Sequence, residues 1–243
     1  MTIDPSVPIN YLDAGLSVLP AIRERKHPAV GSWKAYQDRL PSEEEIEAWF
    51  SNKQNALCLV CGTISGNLEV IDFDNHGELF DAWQNAVSTD LKSKLVIENT
   101  PSGGFHVAYQ CQDTVYGNTK LAQGIRNDKT VTLIETRGEG GLILCAPSDG
   151  YTLTQGAYTA LPILTAEERK LLLNTATQLD EIKAEKHSSD PVLPQNFTMY
   201  EPACSNFEKR PGDDFNERIN FGEMLTCYGW KLLRTLADGN QYW

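Results

Sequence analysis

Apolar positions along this chain fall in short strand-length runs, broken by glycine turns and by a few stretches with helical spacing. "PINYLDAGLSVLP" (8–20) predicts a short helix ending near Gly15, then a strand. "SEEEIEAWF" (42–50) predicts a helix capped by Ser42, with acids in its first turn and Ile46, Trp49 and Phe50 at helical spacing. "NALCLVCG" (55–62) and "LEVIDFD" (68–74) predict two strands, paired as a hairpin or as neighbours across "ISGN". "HGELFDAWQNAV" (76–87) has an amphipathic helical pattern, and "LVIENT" (95–100) and "FHVAYQC" (105–111) are strands around the turn "PSGG". "TVTLIETR" (130–137) and "GLILCAPS" (141–148) are expected to form another hairpin across "GEGG". "TAEERKLLLNTATQLDEIKAEK" (165–186) predicts a long helix. "HSSDPVLPQN" (187–196) loses periodicity, gains Pro and Ser, and reads as a linker. A short appendix follows, with a helix around 217–227 and a final hairpin. The expected organisation is one domain over 1–187 and a linker with a small C-terminal module over 188–243.

Such a series is mixed α/β with antiparallel hairpins rather than strict βαβ repetition. It contains neither GxGxxG nor GxxxxGK[ST], so dinucleotide and P-loop readings have no support. With 243 residues, 41% of them apolar, the chain can build a sizeable core. It has no run of about 18 apolar residues, and its start lacks the basic and apolar regions of a secretory signal. A cytoplasmic protein with no membrane association is the expectation. Six cysteines are scattered at 58, 61, 111, 145, 204 and 227. Cys58, Cys61 and Cys145 lie in apolar runs and read as reduced core thiols. "CLVC" (58–61) has metal-ligand spacing, but no second CxxC or CxxH pair completes a zinc site.

The net charge of −12, from 33 acids against 21 bases, argues against a general nucleic-acid binder. However, the acids concentrate in 41–50, 166–169 and 179–185, which read as solvated helix faces. "RERKH" (23–27), Lys34 and Arg39 form a locally basic stretch. A binding site feels its local field rather than the global sum.

The candidate chemistry begins at Asp72 and Asp74. Residues i and i+2 of a strand share a face, which puts these carboxylates side by side with Cα atoms roughly 6–7 Å apart. Two acids that close need a cation between them, and an all-oxygen set favours Mg²⁺ or Mn²⁺. The competing reading has Asp74 capping the next helix and Asp72 as an edge-strand charge. In "TPSGGFH" (100–106), Gly103 and Gly104 allow backbone N–H groups to approach an anion. His106 beside them can donate to a phosphate, or can be a core histidine in a hairpin. In "LIETRGEGG" (133–141), Glu135 and Arg137 share a face within an apolar run. Glu135 is then either a third metal ligand, with Arg137 free for a phosphate, or half of a solvent-facing Glu135–Arg137 pair.

The ordered motifs Asp72-Phe-Asp74, Ser102-Gly-Gly-Phe-His106 and Glu135-Thr-Arg137-Gly-Glu-Gly-Gly141, leading to Pro147-Ser148, resemble the primase–polymerase domain of the archaeo-eukaryotic primase superfamily. The version they most resemble belongs to phage, plasmid and other mobile-element replication proteins. "AGLSVLPA", "KHPAVGSW" and "CGTISGNLEVIDFD" match that family's opening, and the resemblance spans roughly 8–155. Glu135 stands where many relatives have Asp, and it still chelates. "RPGDDFNER" (210–218) and "LTCYGWKLLR…DGNQYW" (225–243) resemble a segment that follows this domain in larger primase–helicase proteins. In those relatives the chain continues further, so a fragment of a longer protein is expected. The acids of "GDDF" read as a turn and helix cap.

The resemblance implies an α+β fold: an RRM-like antiparallel catalytic sheet packed with an N-terminal α/β unit. It implies that Asp72, Asp74 and Glu135 hold two Mg²⁺ or Mn²⁺ ions and that His106 contacts a nucleotide phosphate. Ser102, Gly103 and Gly104 would line the same pocket, with Arg137 and Lys26 as phosphate or template contacts. The implied activity is template-directed nucleotidyl transfer from NTP or dNTP on single-stranded DNA, with a replicative helicase domain or protein as partner. A Toprim enzyme is disfavoured because its Glu precedes DxD. A rolling-circle initiator is disfavoured because the four histidines, at 27, 76, 106 and 187, are unpaired. The alternative is a non-catalytic RRM-like module binding single strands through exposed aromatics. Strand alternation, however, places Phe73 and Phe105 opposite the acids.

Overall fold

The computed structural model describes residues 2–51, 54–182, 234–235 and 241–242. The chain divides into Met1–Lys183 and Ala184–Trp243. The first unit opens with α1 (Ser6–Asp13), β1 (Ser17–Ile22), β2 (His27–Pro28), α2 (Glu43–Phe50), β3 (Leu57–Val60) and β4 (Leu68–Phe73). It continues with α3 (Phe80–Ala86), α4 (Thr89–Lys94), β5 (Val96–Asn99), β6 (Phe105–Cys111), β7 (Lys120–Arg126) and β8 (Lys129–Arg137). It closes with β9 (Leu142–Cys145), β10 (Thr152–Gln155), β11 (Ile163–Leu164) and α5 (Ala166–Thr177). In the second unit, β12 (Arg234–Thr235) pairs antiparallel with β13 (Gln241–Tyr242). The helix expected at 217–227 and the "GDDF" turn lie outside the described residues.

Two sheets form the first unit. The smaller runs β2-β1-β3-β9, and the larger runs β10-β5-β6-β4-β8-β7, with β11 added parallel to β6. All other pairings are antiparallel, as an α+β fold requires. Local chemistry sets the helix starts. Ser42 accepts from the Glu45 N–H while Glu45 reaches back to the Ser42 N–H, and Thr165 and Glu168 repeat that capping box at α5.

Alternation along β4 divides the core. Ile71 and Phe73 pack with Trp83, Val107 and Tyr109 under α3, α4 and α5. Leu68 and Val70 pack with Leu57, Leu59, Val96, Ala108 and Ile143, between the two sheets. Asp72 continues the second face, just past the residues that the smaller sheet covers.

Two expected hairpins do not form. β3 is flanked by β1 and β9, and β4 by β6 and β8; only a bridge from Gly62 to Leu68 links the two runs. Every residue of β3 and β4 is buried, which suits central positions in different sheets. Likewise β8 lies between β4 and β7 while β9 joins β3. The chain thus crosses between the sheets at both of these turns, and the two turns bind each other. Cys61 N–H donates to the Gly141 carbonyl at 2.9 Å, and Glu139 accepts from the Thr63 N–H at 2.8 Å and the Thr63 hydroxyl at 3.0 Å. β5 and β6 do pair across their turn, and a further hairpin joins β7 to β8 through Asn127 and Asp128, both left-handed, a conformation these residues tolerate.

Other boundaries shift for local reasons. Asn75, His76 and Gly77 are all left-handed, so α3 begins only at Phe80. A separate α4 follows, capped by Ser88. α5 ends at Thr177, short of the expected 186, because the chain turns back to β7. Asp180 accepts from the Gln123 N–H at 2.7 Å, and Glu181 N–H donates to the Gln123 carbonyl. Cys58, Cys61, Cys111 and Cys145 are buried free thiols, and burial pushes Cys58 up to about 12, so it stays a protonated core residue. Among the described residues no helix is long and apolar enough to cross a membrane.

One buried ion pair fastens α5 to the larger sheet. Arg169 Nε and Nη2 donate to Glu69 at 2.6 and 2.7 Å, and the Tyr109 hydroxyl donates to the same carboxylate at 2.9 Å. Glu69 is only 1% exposed, so removing its partner strands a buried charge. Arg169→Ala is expected to cost about 3–5 kcal/mol of unfolding free energy, read as a fall in urea midpoint. A loss under about 1 kcal/mol, the range of a surface pair, would refute this.

Candidate metal centre

Antiparallel register lines up one row of polar residues across five strands. Glu98 of β5 faces His106 of β6, His106 faces Asp72 of β4, Asp72 faces Glu135 of β8, and Glu135 faces Lys120 of β7. Directly opposed residues project from the same face. The next row on that face, Val96, Ala108 and Val70, is apolar and ends at Arg137. Packing of the apolar row between the sheets therefore fixes where the polar row emerges.

Asp74 stands two residues beyond Asp72, at the end of β4. Ligand atoms of Asp72, Asp74 and Glu135 all lie within 4.8 Å of one another, the one acid cluster of this kind among the described residues. Asp74 occupies the cap position of the turn Asn75–Gly77, but its side chain makes no cap hydrogen bond, which removes the capping role. Asp72 lies on a central strand, not an edge.

The cation between the acids is Arg137. Its Nε and Nη2 donate to Asp72 Oδ2 at 3.3 and 3.1 Å, and Nη2 also pairs with Glu135 Oε1. The Glu135–Arg137 pair therefore exists, but it is drawn into the acid cluster rather than lying on a solvent face. Burial pushes the Asp74 carboxyl up, and the Asp72 charge adds to the effect. Burial also raises the Glu135 carboxyl, with Arg137 opposing and Asp72 and Asp74 reinforcing. One guanidinium thus leaves negative charge uncompensated.

His106 is buried, with its Nε2 edge 3.6 Å from Asp72 Oδ1 and its Nδ1 2.7 Å from Glu98 Oε1. Burial alone would lower its pKa; the Glu98 hydrogen bond and the charges of Asp72 and Glu98 outweigh that and raise it.

A cavity of about 340 Å³ opens over this row. Asp72, Asp74, His106, Arg137, Ser102 and Lys26 line it, as do Trp33, Asn118 and Tyr151. Glu135 is not in the lining; it joins the site through Asp72 and Arg137. Gly103 and Gly104 are also absent from the lining. The Gly103 N–H is spent on the Thr100 carbonyl within the turn, and a Cβ on Gly104 would collide with the Phe73 carbonyl oxygen. These glycines let the β5–β6 turn press against the end of β4, beside Asp74. Phe73 is buried and Phe105 stacks on Phe80 at 3.9 Å, so neither offers a free ring to a base.

A family model described as bifunctional DNA primase/polymerase, N-terminal (Prim-Pol), matches residues 8–170. The chain belongs to this primase–polymerase family. No curated protein matches it. The Prim-Pol assignment accords with the α+β architecture of antiparallel sheets, and metal dependence is a property of the family.

Whether these residues suit a divalent ion can be judged from the cluster itself. Three carboxylates converge, two with raised pKa, and one guanidinium, that of Arg137, bridges two of them. An oxygen-only set of this charge fits a hard cation. Sequence reasoning missed Glu98, Asn118, Trp33 and Tyr151. Glu98 carried the signal that singled out Glu135, an acid within an apolar strand.

The raised carboxyls have a measurable consequence. A folded-state pKa above the unfolded value means that ionisation costs stability, and the cost grows as pH rises from about 4 through the raised values. In EDTA at pH 7, Asp74→Asn is expected to raise Tm by about 2–4 °C, with the gain shrinking toward pH 4. Mn²⁺ should stabilise the parent protein more than the variant. Thermal melts showing Asp74→Asn less stable in EDTA would sink the account.

Proposed function

We propose that this Prim-Pol chain is a divalent-metal-dependent primase/polymerase that makes or extends primers on single-stranded DNA during replication of a mobile element. The observation that carries the reading is the in-register row Glu135, Asp72 and His106, with Asp74 and Arg137 beside it, all but Glu135 lining one cavity. Acids and cations in one cavity are what a nucleoside triphosphate with its metal ions needs.

Asp72, Asp74 and Glu135 would hold Mg²⁺ or Mn²⁺. Bound there, such ions would activate the primer 3′-hydroxyl and offset charge on the α-phosphate and the departing pyrophosphate. Arg137 and His106 present cationic or N–H edges to the triphosphate, and Lys26 and Ser102 contact phosphate from the cavity rim. Lys26 is held at that rim by a left-handed backbone, immediately before β2. Arg137 and His106 are held by their acid partners before substrate arrives, which limits reorganisation during the transfer. The mobile-element setting, a helicase partner and the division into 1–187 and 188–243 draw their support from the motifs and composition of the tail.

Primer synthesis and primer extension on single-stranded DNA, with labelled nucleotides and Mg²⁺ or Mn²⁺, test this directly. The parent protein should yield product, and the Asp72→Ala, Asp74→Ala double variant should fall by at least about a hundredfold. Equal product from both proteins would remove these acids from the catalysis, and DNA retention in EDTA with no product from either would replace this reading with a binding module.

A further inference from the structure

Glu98 stands apart from the acid cluster, separated from β4 by β6. It has no exposed surface, and a carboxylate so placed is costly unless its oxygens are satisfied. Both are: Oε1 meets His106 Nδ1 at 2.7 Å, and Oε2 accepts the Ala146 N–H at 2.9 Å. His106 is therefore gripped along one edge while the other, Nε2, faces Asp72 and the cavity. The Tyr151 ring packs near the imidazole at 5.9 Å between centroids.

We infer that Glu98 is a positioning residue for the nucleotidyl transfer proposed above: by holding Nδ1 it fixes the His106 ring so that Nε2 points at the incoming triphosphate beside the acids. This inference rests on the proposed function. An imidazole ring has a broad torsion about its last bond, and a carboxylate on one nitrogen determines which nitrogen faces a site. The competing role is structural. Through Ala146, Glu98 also ties β5 of the larger sheet to the residue following β9 of the smaller one. The two roles differ in whether the effect of Glu98 passes through His106.

The test compares parent, Glu98→Gln, Glu98→Ala, His106→Ala and the Glu98→Ala, His106→Ala double variant. Primer extension is measured against nucleotide concentration, and imidazole N–H protons are recorded by NMR without nucleotide. A downfield Nδ1–H signal, assigned by its loss in His106→Ala, is expected in the parent and Glu98→Gln and absent from Glu98→Ala. Glu98→Ala should raise the nucleotide KM and lower kcat/KM by about 10- to 100-fold. Glu98→Gln, which keeps one acceptor oxygen for Nδ1–H but turns its NH2 on the Ala146 N–H, should retain more activity than Glu98→Ala. The double variant should be no worse than His106→Ala alone. A further loss in the double variant, or an unchanged KM in folded Glu98→Ala, overturns the inference and leaves Glu98 as a tie to Ala146. If Glu98→Ala does not fold, Glu98→Asp, one CH₂ too short to keep the contact, takes its place. If the parent makes no product, the proposed function fails by itself. The NMR arm then decides the inference alone, and an Nδ1–H signal indifferent to Glu98 refutes it.

Discussion

Backbone pairing of β4 with β6 on one side and β8 on the other holds the whole site together. That register puts His106 and Glu135 directly across from Asp72, and carries the row outward to Glu98 and Lys120. A slip of one residue would turn Asp72 toward the apolar cluster of Phe80, Trp83 and Tyr109. The apolar row of Val96, Ala108 and Val70 opposes such a slip, because it is buried between the sheets. Hydrophobic packing of one row is thus what places the charges of the next.

Electrostatics at the site follow from that placement. Two of the three carboxylates share one guanidinium, and the two with raised pKa, Asp74 and Glu135, are left ready for a further cation. The chain's negative charge is spread elsewhere, over Glu43, Glu44 and Glu45 in the first turn of α2 and Glu167 and Glu168 in that of α5. Those acids also favour the helix N-termini. Lys26, His27 and Arg137 meanwhile gather at one cavity. A net charge of −12 for the chain is therefore compatible with basic side chains beside the acids of one site.

The smaller sheet makes the cavity wall possible. Its β9 arrives from beyond β8, so the N-terminal unit is completed by a strand from the middle of the chain. The crossings from β3 to β4 and from β8 to β9 brace each other through Glu139 and Thr63, and a Cβ at Gly62 would collide with Glu139. Gly140 and Gly141, on the second crossing, line the cavity. The Arg137-Gly-Glu-Gly-Gly motif thus joins a charged side chain, a brace and a cavity wall within five residues.

Much of this was legible in the residues. Alternation along "LEVIDFD" put Asp72 and Asp74 on one face, and Phe73 on the other, because successive side chains of a strand must point oppositely. Caps at Ser42 and the reversal between β5 and β6 were likewise local, written within a few residues. Strand partners were not. Two glycine turns that read as hairpins became crossings between sheets, since pairing is decided by which apolar faces can be buried together over the whole fold. Glu98 shows the same limit. Its burial marks an acid that needs a partner, but only the register of β5 against β6 supplies His106. By itself the sequence determined which residues could do chemistry and which face each would take. The tertiary structure decided which of them meet, because strand pairing joins residues that the chain holds far apart.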